Sequence, residues 1–141
     1  MKLVIASDHG GYELKEKIYK YLNDRYDITD FGTNSKDSCD YPEYAKKVAK
    51  AIQNNEFDRG ILVCGTGIGM AIAANRFRGI RAANVSDTFS ARMTRMHNNS
   101  NILTLGGRIL GEGLAFDIVD IWLESEFEGG RHQKRIDMID E

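Results

Sequence analysis

Residues 61–70, ILVCGTGIGM, decide the fold of this chain. A short apolar run ends at Cys64, three glycines follow at alternate positions, and residues 71–75, AIAAN, continue with small helix-forming side chains. This order predicts a strand, a tight turn and the start of a helix. Such a turn exposes backbone N–H groups that favour an anion. It also places the Cys64 thiol beside them, where the thiolate form is favoured.

Four other apolar segments predict strands, and helical patterns separate them. The strands are expected at residues 3–6, 26–31, 61–64, 81–85 and 102–105, and the helices near 12–23, 41–52, 71–75, 88–98, 113–124 and 131–139. Strands that alternate with helices imply a parallel sheet covered on both faces. We therefore predict one α/β domain over residues 1–141, with a Rossmann-like doubly wound five-stranded parallel sheet, helices on both faces and a C-terminal helical tail.

Helical spacing also predicts which side chains face the core. Phe89, Met93 and Met96 recur at this spacing in the helix expected at 88–98, and Leu114 and Ile118 recur in the helix expected at 113–124.

In a doubly wound sheet the first strand normally lies between the second and third, and ligands bind beyond the carboxyl ends of the strands where their order reverses. Residues 8–9 and 64–65 should therefore flank one crevice.

The composition excludes several classes of function. The 141-residue chain carries a net charge of −2 and no basic stripe, which argues against a nucleic-acid partner. No apolar run approaches the roughly 20 residues of a membrane span. The chain begins with a strand-like segment rather than a targeting signal, and it has only two cysteines. We expect a cytoplasmic protein with reduced thiols, with a Cys39–Cys64 disulfide as the alternative.

The glycine turn has three interpretations. No Gly-Lys-Ser/Thr closes it, so it is not a Walker A loop, and its G-x-G-x-G spacing is one residue short of the dinucleotide motif. Asp87 lies about where the ribose-binding acid of that motif would be, which keeps a nucleotide-binding regulatory module as one hypothesis. The third interpretation is a cradle for a small oxyanion. Cys64 is then either a reactive thiol or a buried strand-end cysteine that acts as a small hydrophobe, and the residues alone leave both open.

Other polar residues carry similar alternatives. Asp8 and His9 follow the first strand and are either ligands for hydroxyl and phosphate groups or a helix cap with a solvated histidine. Arg131 and Arg135 share a helix face, which suits a phosphate as well as a solvated charged tail. The three histidines and two cysteines lack the close spacing of metal ligands, so no metal is expected.

Five motifs in order give the chain a clear resemblance. They are SDHGG at 7–11, DYP at 40–42, CGTGIG at 64–69, HN at 97–98 and GGRHQKR at 129–135. Together they resemble the ribose-5-phosphate isomerase B family, within the larger group of ribose/galactose sugar-phosphate isomerases, over essentially the whole chain. The resemblance implies interconversion of ribose 5-phosphate and ribulose 5-phosphate through an enediolate, without a cofactor or metal. A six-carbon sugar phosphate, such as allose or galactose 6-phosphate, is the alternative substrate.

The resemblance also implies residue roles. Cys64 would be the base, Thr66 and its glycine neighbours the cradle for the enediolate oxygen, and His97 the residue that opens the sugar ring. Some family members carry a glutamate base a few residues later, but residues 70–74, MAIAA, contain no carboxylate. The implied substrate-binding set is Asp8, His9, Tyr41, Gly65, Gly67, Ile68, Gly69, Asn98, Arg108, Arg131, His132 and Arg135.

One geometric problem suggests a partner. His97 ends a helix that should run about 15 Å back from the crevice, given a rise of 1.5 Å per residue. Arg131 follows another such helix after a short connection. We therefore expect a homodimer with shared active sites, or a larger assembly of such dimers, in which at least His97 acts in the neighbouring subunit's crevice.

Overall fold

The computed structural model describes all 141 residues, which form five strands and six α-helices. The strands are β1 (Lys2–Ser7), β2 (Asp27–Asp30), β3 (Arg59–Cys64), β4 (Ala82–Asn84) and β5 (Ile102–Gly106). The helices are α1 (Tyr12–Leu22), α2 (Tyr41–Gln53), α3 (Ile68–Ala74), α4 (Thr88–Asn98), α5 (Glu112–Glu124) and α6 (Arg131–Asp137). None of these helices is both long and apolar enough to cross a membrane.

All strand pairs are parallel, and the order across the sheet is β2-β1-β3-β5-β4. The predicted α/β fold is therefore confirmed, including the position of β1 between β2 and β3. The register pairs Ser7 with Val63 and Cys64 with Gly106, so β1, β3 and β5 end at the same edge of the sheet. The strand order reverses between β1 and β3, and this places the crevice beside Cys64.

The two faces of the sheet bury separate apolar clusters. Leu3, Ile61 and Leu103 point toward the side covered by α1 and α5, where Trp122 is fully buried. Val4 and Leu62 point the other way, toward α2 and α3, and Cys64 belongs to this second cluster. Strands that are apolar on both faces need helices on both sides, which explains the near-continuous apolar runs in the sequence.

The predicted inward faces of α4 and α5 are partly wrong. Phe89 is 66% exposed and Leu114 is 42% exposed, although both were expected in the core. The buried side of α4 instead carries the smaller or polar residues Ala91, Thr94 and Arg95. The buried guanidinium of Arg95 donates to the side-chain oxygen of Asn99 and to the carbonyl of Ser100, so it ties α4 to the residues that follow the helix. Its hydrogen bonds let a charged residue replace the apolar stripe on the inward side.

A pair of glycine substitutions tests the packing of the β1–α1 turn. A Cβ on Gly11 would lie 2.3 Å from the backbone oxygen of Val63, whereas a Cβ on Gly113 in α5 would meet nothing within 4 Å. Gly11→Ala should lower the free energy of unfolding by about 2–3 kcal/mol because the β3 backbone must move. Gly113→Ala should raise it by about 0.5 kcal/mol through helix propensity. Urea unfolding of both variants checks this, and equal effects would contradict the packing described for Gly11.

Candidate active site

Cys64 ends β3 with its thiol turned into the glycine loop. Its side chain is buried, and its Sγ accepts a hydrogen bond from the N–H of Gly67 at 3.1 Å. Both cysteines are free thiols, so the alternative of a Cys39–Cys64 disulfide is wrong. The position of Cys64 is compatible with both interpretations of this residue. The sulfur packs in the apolar cluster against α2 and α3, yet it also accepts an amide hydrogen bond at the turn.

The glycine loop needs its glycines. Gly67 has a φ of +83°, and a Cβ there would lie 2.2 Å from the side-chain oxygen of Asn84. The N–H groups of Gly65 and Thr66 donate no hydrogen bond within the chain, so they remain available to a ligand. The Thr66 hydroxyl accepts from the N–H of Ile68 at 3.3 Å, which leaves its own proton free to donate. The loop therefore presents several donors beside one sulfur atom.

The loop after β1 forms the other side of the crevice. Asp8 caps the short turn that follows it, because its carboxylate accepts from the N–H of Gly11 at 3.1 Å. His9 is half-buried, and its Nδ1 accepts from the N–H of Cys39 at 3.2 Å, which assigns the proton to Nε2. A Cβ on Gly10 would lie 3.2 Å from the nitrogen of Gly65, so the two loops touch. The cap predicted as an alternative for Asp8 is thus present.

Two further side chains close on the glycine loop. Arg108 follows β5, its N–H donates to the carbonyl of Gly65 at 3.0 Å, and its guanidinium lies over the same glycine. The Tyr41 ring at the start of α2 packs against Gly69, where a Cβ would be 2.6 Å from the ring. Neither residue has a spacing signal in the sequence, and only the resemblance indicated them. One edge of the sheet therefore gathers Asp8, His9, Tyr41, Cys64, Thr66, Arg108 and the loop residues Gly65, Gly67, Ile68 and Gly69.

The remaining candidate residues lie at the opposite edge. The carbonyl of Asn98 accepts from Arg81, which precedes β4, and the carbonyl of Asn101 accepts from Gly60 near the start of β3. The end of α4 is thus held at the amino edge. Cys64 pairs with Gly106 at the carboxyl end of β5. Ile102, at the amino end of the same strand, is four residues and therefore roughly 13 Å from Gly106. Within one chain, the crevice beside Cys64 is therefore distant from the remaining candidate residues, which are His97, Asn98, Arg131, His132 and Arg135.

Two histidines at this amino edge stack on one another. The rings of His97 and His132 are nearly parallel, with centroids 4.2 Å apart. The Glu128 carboxylate faces both, with one oxygen 3.6 Å from Nε2 of His97 and the other 3.7 Å from Nε2 of His132. Spacing along the chain did not reveal this group, because Glu128 and His132 are brought to His97 by the turn between α5 and α6.

This cluster has the residue types of a metal site but not the geometry. Its three ligand atoms lie within 4.8 Å of one another. An imidazole binds a metal in its own ring plane at about 2.0–2.1 Å. Because the two rings are stacked almost parallel, a metal in the plane of one ring would lie far outside the plane of the other. The arrangement suits hydrogen bonding and charge coupling rather than coordination by both histidines.

The two arginines of α6 are exposed and one helical turn apart. Neither Arg131 nor Arg135 forms an ion pair within the chain, so both guanidiniums are free to bind an anion.

The largest cavity, about 670 Å³, lies elsewhere at the amino edge and includes Phe57, Arg78 and Asp140 but none of the candidate residues. Cys64 lines none of the five cavities of the chain.

Burial of His132 should make stability depend on pH. Burial, followed by the neighbouring His97 and Arg131, lowers the pKa of His132 below its ordinary value of 6.5. The unfolded chain then binds a proton at a higher pH than the folded chain, so stability falls as pH drops below about 6.5. His132→Phe keeps a ring for stacking and removes this group. Between pH 7 and pH 5 the variant should lose less stability than the wild type in urea unfolding, and parallel losses would contradict this assignment.

Comparison with known proteins identifies the family. The family model described as Ribose/Galactose Isomerase matches residues 3–139. A putative sugar phosphate isomerase of Bacillus subtilis is 51% identical, with 99% of this chain and 95% of that protein covered. Ribose-5-phosphate isomerase B of Clostridium thermocellum has a solved structure with a TM-score of 0.98 and 53% identity, covering 99% of this chain and 95% of that one. The Mycoplasma genitalium enzyme, solved with bound ribulose 5-phosphate, has a TM-score of 0.92 and 42% identity, covering 98% and 93%. The chain therefore belongs to the ribose/galactose isomerase family.

Proposed function

We propose that this protein is an aldose–ketose isomerase that interconverts ribose 5-phosphate and ribulose 5-phosphate. The observation that carries the proposal is the Cys64 thiol, which lies at a strand end among free backbone donors and opposite Asp8 and His9. Relatives of nearly the same length are named ribose-5-phosphate isomerase B, and one was solved with ribulose 5-phosphate bound. The chemistry that the crevice offers and the relatives' names agree.

Isomerisation needs one base that moves a proton between C1 and C2 of the sugar. Cys64 is suited to this role because the Gly67 N–H donates to its sulfur and holds that sulfur at the turn, beside the free N–H groups of Gly65 and Thr66. In the forward direction the thiolate removes the proton from C2, which gives the enediolate with its negative charge on O1. The thiol then returns this proton to C1, while the hydroxyl proton of O2 moves to O1 and leaves a carbonyl at C2. No carboxylate occurs in residues 65–74, so the first turns after β3 offer no competing base.

The enediolate oxygen needs donors that are already in place. Three donors are suited to this role, because none of them donates elsewhere in the chain: the N–H groups of Gly65 and Thr66 and the Thr66 hydroxyl. Preorganised donors of this kind contribute roughly 3 kcal/mol each to the stabilisation of a transition state. Arg108, which lies over Gly65, adds a positive charge to the same crevice.

The furanose form of ribose 5-phosphate must open before C2 can react. Opening breaks the bond between C1 and the ring oxygen, moves a proton onto that oxygen and removes one from the C1 hydroxyl. An imidazolium can supply the proton as a general acid, and the resemblance to the family assigns this role to His97. Because His97 lies at the edge opposite Cys64, we propose that His97 of the partner subunit completes each crevice.

The exposed apolar surface supports a second copy of this chain as that partner. Ile68 in the glycine loop, Ile72 one turn further and Phe89 at the start of α4 are each more than half exposed. Such side chains near a binding crevice are typical of a covered interface. A two-fold dimer would bury this surface twice and form two equivalent shared sites. The free guanidiniums of Arg131 and Arg135 would then bind the phosphate from across the interface.

The nucleotide hypothesis loses its main support. The Asp87 carboxylate accepts from the N–H of Ser90 at 2.7 Å and caps α4, and this hydrogen bond lowers the pKa of the carboxyl. Asp87 thus has a structural role at a helix start. Calorimetry with ribose 5-phosphate, NAD and ATP separates the hypotheses, and the same preparation assayed with allose and galactose 6-phosphates separates five-carbon from six-carbon substrates.

Cys64→Ala is the direct test of the base. We expect isomerase activity to fall by about 1,000-fold, since general base catalysis contributes 10²- to 10⁴-fold, while ribose 5-phosphate still binds. Cys39→Ala is the matched control, because it removes the other thiol but keeps the backbone N–H that reaches His9. A coupled assay of initial rates checks both variants. An active Cys64→Ala protein would remove Cys64 from this role.

Subunit mixing tests the shared site. Cys64→Ala and His97→Asn proteins should each be inactive as homodimers. Random assortment of a 1:1 mixture leaves about one quarter of the crevices with both residues intact, so the mixture should recover about a quarter of the wild-type activity. Mixed dimers, identified by differently sized affinity tags, that form without regaining activity would show that each crevice is complete within one subunit.

A further inference from the structure

Glu128 is fixed beside the end of α4 by its own backbone. It lies just before Gly129 and Gly130, whose positive φ values of +71° and +56° turn the chain into α6. The Glu128 N–H donates to the carbonyl of Met96 at 3.1 Å, so the residue is tied to the last turn of α4, next to His97. The carboxylate is therefore held near the histidine before any substrate arrives.

One carboxylate faces two imidazoles with a separate oxygen for each. The distances of 3.6 and 3.7 Å to the Nε2 atoms of His97 and His132 exceed a normal hydrogen bond. Contacts of this kind in catalytic groups are often long without substrate and shorten when it binds. Glu128 forms no ion pair with a lysine or arginine, so its charge is directed at the two rings alone.

His132 contributes a buried plate under the His97 ring. It is 6% exposed, its Nε2 has no hydrogen-bond partner, and the stack leaves His97 little freedom to tilt. A charged His132 would repel a protonated His97 at this distance, but burial keeps His132 uncharged at neutral pH by lowering its pKa.

We propose that Glu128 is a positioning residue that orients the His97 imidazole for ring opening, with the His132 ring as its support. A carboxylate at Nε2 of His97 fixes which nitrogen carries a proton and leaves the other nitrogen for the sugar. This inference rests on the proposed role of His97 and adds to it a residue that no sequence pattern indicated. Glu128 acts through His97 and touches no reacting atom.

The test separates ring opening from proton transfer. Deuterium from D₂O enters C1 of ribulose 5-phosphate whenever the enediolate forms and returns to the ketose, which requires Cys64 and the cradle but not ring opening. Ribulose 5-phosphate has no furanose form, because its O5 carries the phosphate. NMR of this exchange, measured beside the rate of conversion of ribose 5-phosphate, therefore reports on the two steps separately.

Glu128→Ala and Glu128→Gln, each in the full chain, should lose conversion and keep exchange. We expect conversion to fall about 100-fold for Ala and about 10-fold for Gln, which retains an acceptor without the charge, while exchange stays within about 2-fold of the wild type. Glu126→Gln is the matched control, since Glu126 is exposed and forms no ion pair. This variant should match the wild type in both rates.

Each other outcome counts against a specific statement. Equal losses of exchange and conversion, including those of a variant that fails to assemble, would make Glu128 a structural residue and overturn the proposal. Unchanged conversion in both variants would also overturn it. A wild-type protein without conversion would reject the proposed function instead. A His97→Asn protein with full conversion would reject the role of His97 and, with it, the positioning role of Glu128.

Discussion

The polarity of the parallel sheet is the constraint on which the rest of this molecule depends. Parallel strands bring all their carboxyl ends to one edge, and the connecting helices end at the other. Cys64 therefore lies with the glycine loop, whereas His97, at the end of α4, lies about one strand length away. No side-chain rotation closes such a gap. A reaction that needs both residues requires a second copy of the chain, and the apolar residues left exposed on α3 and α4 provide a surface for it.

The amino edge is built for precision rather than for mobility. Arg81 donates to the carbonyls of Asn98 and Asn99, and Arg95 donates to Ser100, so the end of α4 is held by charged hydrogen bonds. Burial and the proximity of Arg59 and Arg81 lower the pKa of Arg95 to about 10, yet the residue remains charged at neutral pH. Charge-assisted bonds to helix-end carbonyls are strong and directional. They fix the backbone from which His97 projects, as the proposed role of His97 in a neighbouring subunit requires.

Much of the fold could be predicted because its signals are local and periodic. The apolar runs, the glycine turn and the cap at Asp8 each depend on neighbours within a few residues, and the structure has all of them. The exposed Phe89 could not be predicted, since an apolar side chain left exposed on a helix has the same periodicity as one that faces the core. The ion pair between the fully buried Lys15 and Asp30 joins α1 to β2, and no spacing rule indicates it.

The candidate site also has one part with a local sequence signal and one part that depends on tertiary packing. Cys64 and its loop form one local motif, so the sequence alone offered an oxyanion site there as one of its interpretations. The stack of His97 on His132 depends on the path of the chain after α5, where two glycines with positive φ turn α6 back onto α4. Glu128 has a local signal in retrospect, because it precedes His132 by four residues. A spacing of four residues is common among solvated residues. It indicates a functional pair only when the His97 ring is known to stack on His132. The proposed role of Glu128 depends on the packing of α6 against α4, and a pattern along the sequence does not contain that contact.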